Sequence, residues 1–235
     1  AADLIERIDT SDRVEKEEIE IPPYEEISMP ERGKFVFPPI WDRVTKRGEK
    51  LNKELIFKWI NHRVLFRQRW GYKRGKQDAA AFLKYEQDVV EPTYQALKAE
   101  LVDKDIFDPI AIYAYYPCIS HDNKLYIFDK KYLFNTLEES KNVPPLSEAI
   151  KVLEFPRQKR KPFRCIPDFF ANDRLDVVAF TLASAGLKIS DYERGLYDKG
   201  EFTKYYQVHG LGVELAEALA EVLHKQIRLD LDIVP

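Results

Sequence analysis

The chain has 235 residues, 45% hydrophobic and 13% aromatic, enough to bury a real core in one large domain or two small ones. Charged residues make up 33%, yet the net charge is only −3, which excludes a general affinity for nucleic acid or for a membrane surface. No apolar run approaches the roughly 20 residues that span a bilayer.

Residues 1–33 are polar, acidic and interrupted by proline, as in "VEKEEIEIPPYEEISMPERG". They read as an extended tether and not as a signal or transit peptide. A domain is expected over 34–235, opening with "KFVFPPIWDRV" as a short strand and a turn. From Leu51 to Trp70 the apolar residues recur at helical period. Leu51, Leu55, Ile56, Trp59 and Ile60 fall on one side, with Lys53, Lys58 and Arg63 facing away. Asp78 is placed to cap a second helical stretch that carries Phe82, Tyr85 and Val89 inward. Pro92 interrupts that stretch, so a helix restarts there and ends near Asp103.

"PIAIYAYYPC" (Pro109 to Cys118) reads as a strand, its tyrosines alternating against Ile110, Ile112 and Ala114. The loop "ISHDN" leads to "KLYIFDK", predicting an antiparallel hairpin with a longish loop. "AIKVLEFP" (Ala149 to Pro156) predicts a third strand and "DVVAFTLAS" (Asp176 to Ser184) a fourth, ended by Gly186. The C-terminal third is helical. From Gly212 to Arg228, Ala216, Leu219, Ala220, Leu223 and Ile227 form one stripe. Glu214, Glu217, Glu221, His224, Lys225 and Arg228 form the opposite face. Strands in the middle with helices on both sides predict an α+β fold, not a doubly wound sheet.

The residues alone leave the chemistry open. Cys165 and Asp168, in "RCIPDFF", fit either a nucleophile with a helper or a buried structural thiol. The two cysteines, Cys118 and Cys165, form no disulfide framework, which suits a reducing cytoplasmic setting. The four histidines, His62, His121, His209 and His224, form no metal-binding spacing, so no metal is expected. The run "PRQKRKPFR" is a solvated basic loop or a contact for phosphate or an acidic partner. It lacks the interleaved aromatics of a single-strand platform, and RNA binding is the weaker reading. "HGLG" (His209 to Gly212) follows no clear strand and is a poor dinucleotide fingerprint. Gly210 and Gly212 instead let two helices meet at a tight bend. Glu217 lies one turn before Glu221 on a polar stripe, as a solvated residue or, beside a docked cation, a ligand residue.

Five ordered stretches together carry a resemblance. They are "LFRQRW" after the helix "LIFKWINH", "IAIYAYYPCISHDNKLYIF", "LEFPRQKRKPFRCIPDFF", "DVVAFTLASAG" and "YYQVHGLGVELAEALAEVLHKQIR". Over about residues 38–228 the chain resembles the C-terminal activation domain of cobalamin-dependent methionine synthase. The resemblance implies a central twisted, mainly antiparallel sheet flanked by helices, with a long C-terminal helix. It makes Cys165 and Asp168 part of a structural segment and assigns no catalytic side chain.

It also implies a function. Members of the family rescue oxidised cobalamin with an electron from flavodoxin or a similar reductase. They then trap the reduced cobalt with a methyl group from S-adenosylmethionine. The domain binds S-adenosylmethionine and aims its methyl, and the cobalamin is held by a neighbouring domain or chain, in methionine biosynthesis. This is catalysis by positioning. Matched residue by residue, a Glu of the family's long helix falls on Glu217. An acidic position of its first helix falls on Asn61, which can hydrogen-bond but carries no charge. The family's R-x-x-x-G-Y segment lies beyond the long helix, past Pro235, so the domain is expected to be incomplete at its C-terminus. "RQRWGY" (Arg67 to Tyr72) fits those letters in the wrong place. The alternative is a non-catalytic interaction module that docks on a corrinoid protein without binding S-adenosylmethionine.

Overall fold

The computed structural model describes residues 53–231 and Ile233. The expected tether, the strand and turn at "KFVFPPIWDRV", and Leu51 lie outside the described residues. Four helices come first: α1 (Lys53–Lys58), α2 (His62–Val64), α3 (Ala79–Tyr85) and α4 (Glu91–Asp103). Helix α2 runs on into a π turn (Leu65–Arg69), and α3 reaches α4 through a second one (Glu86–Val90). Then follow β1 (Ile110–His121), β2 (Lys124–Ile127), α5 (Leu137–Ser140), β3 (Lys151–Glu154), β4 (Asp176–Ser184), α6 (Leu187–Asp198) and α7 (Phe202–Asp230). The strands make a four-stranded antiparallel sheet in the order β3-β2-β1-β4. The expected α+β class and long C-terminal helix are therefore present. The described residues divide into two compact units, one of Pro117–Asp176 and one of residues 53–116 with 177 onward.

In the first unit, the end of β1 pairs with β2 from Cys118↔Ile127 to His121↔Lys124. Only Asp122 and Asn123 make the turn, with Asp122 at φ 51. The hairpin loop is tight, not longish, because "ISH" continues the ladder and Asp tolerates the left-handed backbone. Strand β2 pairs with β3 from Lys124↔Glu154 to Ile127↔Lys151. Leu125, Phe128, Phe134 and Leu175 are buried around this sheet. The basic run is solvated at Lys159, Arg160 and Lys161, but Arg157 is buried. Its guanidinium makes two 2.7 Å bonds to the buried Asp168 carboxylate and a third to the Phe163 carbonyl. Asp168 also accepts the Cys165 backbone N–H at 2.9 Å. Burial opposes ionisation of Asp168, but these donors prevail and hold its pKa below the ordinary carboxylate value.

In the second unit, the predicted helix over 51–70 is broken. Its chain leaves α1 at Trp59, and Asn61 re-caps it by accepting the Val64 N–H at 3.2 Å. Asn favours such a cap over a helix interior, because its side chain competes for backbone donors. The break shifts the buried face. Ile56, Phe57, Ile60, Leu65, Phe66 and Trp70 are buried, while Leu55 and Trp59 are exposed. Asp78 caps α3 as expected, accepting from Ala80 and Ala81. Phe82 points inward, but Tyr85 and Val89 are exposed. The second π turn rotates the face ahead of Pro92, and α4 ends at Asp103 as predicted.

Strand β1 buries its tyrosine-bearing face. Ala111, Tyr113 and Tyr115 are buried, with Ile110, Ile112 and Ala114 half-buried. Both sets are apolar enough for a core, so alternation could not choose the face. The two phenol hydroxyls donate to Asp230 at the end of α7, at 3.2 and 3.0 Å. Gly186 (φ 99) turns the chain from β4 into α6, and a Cβ there would lie 2.0 Å from the Asp108 carbonyl oxygen. Behind α4, the Glu100 carboxylate accepts bonds from Lys104, Tyr192 and Lys204 at 2.7, 2.6 and 2.9 Å.

Helix α7 runs as one helix through Gly210 and Gly212, so these glycines do not join two helices as expected. The glycines do admit close neighbours. A Cβ on Gly210 would lie 2.9 Å from Trp70 Cδ1, and one on Gly212 would lie 3.2 Å from Ile189 Cδ1. Leu211, Leu215, Leu219, Leu223 and Ile227 form the buried stripe, while Ala216 and Ala220 are half-buried. Glu214, expected on the solvated face, is buried.

Candidate functional site

Three contacts dock the α2 region on α7. Lys225 Nζ sits 5.4 Å from the Trp59 ring centre. Arg69 Nε donates to Glu214 Oε1 at 2.8 Å. Trp70 Nε1 donates to the Gln207 carbonyl at 2.9 Å. The two segments thus run in opposite directions, with Trp59 near residue 225 and Trp70 near residue 207. Asn61 lies between Trp59 and Arg69 on one segment, and Glu217 between Glu214 and Lys225 on the other. Each sequence-predicted residue thus falls, in chain order, between residues that join the two segments.

Their roles differ. Glu217 is exposed on α7. Asn61 is also exposed, but its Oδ1 is committed to the Val64 N–H. The cap uses the side-chain oxygen and leaves the amide N–H groups as the donors that Asn61 can still offer. Such donors pair with an acceptor oxygen and not with a cationic centre.

A cleft of about 260 Å³ opens beside α2, lined by His62, Phe66, Arg67, Glu86 and Glu91 among others. Arg67 makes a two-pronged pair with Glu86, at 2.9 and 2.8 Å. His62 Nδ1 lies 3.4 Å from Glu91, and its ring packs on Tyr94 with centroids 4.6 Å apart. "RQRWGY" is thereby accounted for by packing, since Arg67 is paired, Trp70 is buried and Gly71 turns the chain at φ 77.

Cys165 and Asp168 are not a catalytic pair. The Cys165 thiol is buried and points at the Phe155 carbonyl oxygen, 3.4 Å away. Burial pushes its pKa up, against the pull of Arg157, so the reactive thiolate is disfavoured. Burial likewise holds Cys118 well above the ordinary thiol value, with Asp176 adding to it. Among the described residues, no group of three or more His, Cys, Asp or Glu is placed to hold a metal ion. No described helix is long and apolar enough to cross a membrane.

The sequence model for the vitamin B12 dependent methionine synthase activation domain matches residues 56–231. The chain belongs to this family. Methionine synthases of Mycobacterium tuberculosis and Mycobacterium leprae are each 30% identical to it, over 88% of its length. The chain spans 17% of the length of these two relatives. Its fold matches a crystal structure of the MetH reactivation domain bound to AdoHcy, with TM-score 0.61 and 18% identity. That match covers 82% of this chain and 57% of the other. The activation-domain fold thus accounts for the sheet and for the long helix that carries Glu217.

Arg69 and Glu214 escaped the sequence reading. They are 145 residues apart, and nothing local marks Glu214 as different from Glu217 or Glu221. The faint signal was Gly210, one turn before Glu214, where a large side chain needs room against the helix.

Proposed function

We propose that this activation domain binds S-adenosylmethionine and presents its methyl group to reduced cobalamin, in the reactivation of a methionine synthase. The family match over residues 56–231 carries the reading. AdoHcy, the ligand of the solved reactivation domain, is what S-adenosylmethionine becomes once its methyl has left, and it supports the same ligand class here. In this chain Glu217 supplies negative charge for the sulfonium or ammonium, and the Asn61 amide donates to an oxygen of the ligand. On methyl transfer the carbon–sulfur bond pair stays on sulfur as a neutral thioether, and reduced cobalt provides the pair for the new bond. No side chain need act as acid or base, so the domain contributes position and charge. A cobalamin-binding domain is the partner that receives the methyl, and flavodoxin or a similar reductase supplies the electron.

The capping duty of Asn61 favours a second reading, a module that docks on a corrinoid protein without taking the nucleoside. Isothermal titration of S-adenosylmethionine into the 235-residue chain separates the two. Saturable heat at micromolar to millimolar ligand is expected. A flat titration overturns the first reading and leaves the second.

A further inference from the structure

We infer that Arg69 and Glu214 are positioning residues for S-adenosylmethionine: their ion pair fixes the Asn61 segment against the helix that carries Glu217. The inference rests on the binding reading above and adds two residues to it.

The Glu214 side chain is 5% exposed and Arg69 39% exposed, so a buried carboxylate meets a cation arriving from the rim. A buried carboxylate is costly unless a partner holds it, so this contact tolerates little freedom. It is also short, at 2.8 Å, and charge-assisted. Its place in the fold gives it leverage. Glu214 lies three residues before Glu217 on α7, and Arg69 closes the π turn that follows the Asn61 cap. Gly210 completes the lock one turn earlier, since its missing Cβ lets Trp70 reach the helix and donate to Gln207. At the other end Lys225 sits over Trp59, and in chain order Asn61 and Glu217 fall between the two ends.

Without the Arg69–Glu214 clamp, the Asn61 segment keeps its cap but loses its distance to α7. Binding that needs both sides is sensitive to such slack, because a misplacement of about 1 Å can cost on the order of 10²-fold. Neither residue need touch the ligand. A residue that only stabilises the fold would leave affinity intact wherever the variant remains folded.

The test is a double-mutant cycle in S-adenosylmethionine affinity. It compares the full chain, Arg69→Ala, Glu217→Gln and the combination, by calorimetry at a temperature where thermal melts show each folded. Arg69→Lys is the conservative control. Arg69→Ala is expected to weaken binding about tenfold, Arg69→Lys to recover most of it, and the two losses to combine less than multiplicatively. Unchanged affinity in folded Arg69→Ala, or multiplicative losses in the cycle, overturns the positioning role while leaving the binding reading in place. No binding by the unaltered chain overturns both.

Discussion

Glu100 shows how single residues here carry charge inside the fold. Burial alone would raise its pKa, but Lys104, Tyr192 and Lys204 together lower it to about 2. A carboxylate held below its unfolded value adds stability above the ordinary carboxyl pKa of about 4.3. That contribution is lost as pH falls toward about 2. Glu100→Gln should therefore lower the urea midpoint at pH 6 and lose most, though not all, of that effect by pH 2.5, where the native carboxylate has begun to take up a proton. A difference that stays constant across this range would contradict the assignment. The same logic separates what was readable at Asp168 from what was not. Its spacing to Cys165 suggested chemistry, yet Arg157, eleven residues upstream, makes it the anchor of a buried structural turn. Charge in a basic run gave no sign of which arginine would be buried.

Local signals were legible at the level of elements, and facings were not. Asp78 as a cap, β4 over Asp176–Ser184 and the end of α4 at Asp103 follow from residues close in sequence. The break at Asn61 and the two π turns each rotate the apolar face, which a uniform helical period cannot register. The tyrosine face of β1 depends on Asp230, more than a hundred residues away. Two glycines inside helices make the distinction testable. At Gly195 in α6 an added Cβ would meet nothing within 4 Å, whereas at Gly210 in α7 it would meet Trp70 at 2.9 Å. Gly195→Ala should stabilise by about 0.5–1 kcal/mol through helix propensity. Gly210→Ala should destabilise by about 1–3 kcal/mol, because an indole packed against the helix must shift to admit the methyl group. Chemical denaturation of the two variants measures both signs, and a stabilised Gly210→Ala would mean that Trp70 does not sit against α7.

For the molecule as a whole, family and architecture could be read from five ordered stretches, while the candidate site could be read only in part. Glu217 and Asn61 came from residue-by-residue resemblance, and both are exposed in the fold. What resemblance could not supply was the clamp between them, because Arg69 and Glu214 meet only after α7 has packed on the first helical segment. Nor could it show that Asn61 spends its side-chain oxygen on a cap and keeps only its amide N–H groups to offer. On the function proposed above, the domain holds a cationic methyl donor through placed charge and not through a reactive side chain. The most direct measurement is the dissociation constant for S-adenosylmethionine of the chain and of its Glu217→Gln variant, taken side by side. One charged hydrogen bond, about 1.5–3 kcal/mol, predicts a loss of roughly 10- to 150-fold in the variant. Equal constants would contradict the claim that Glu217 holds the ligand.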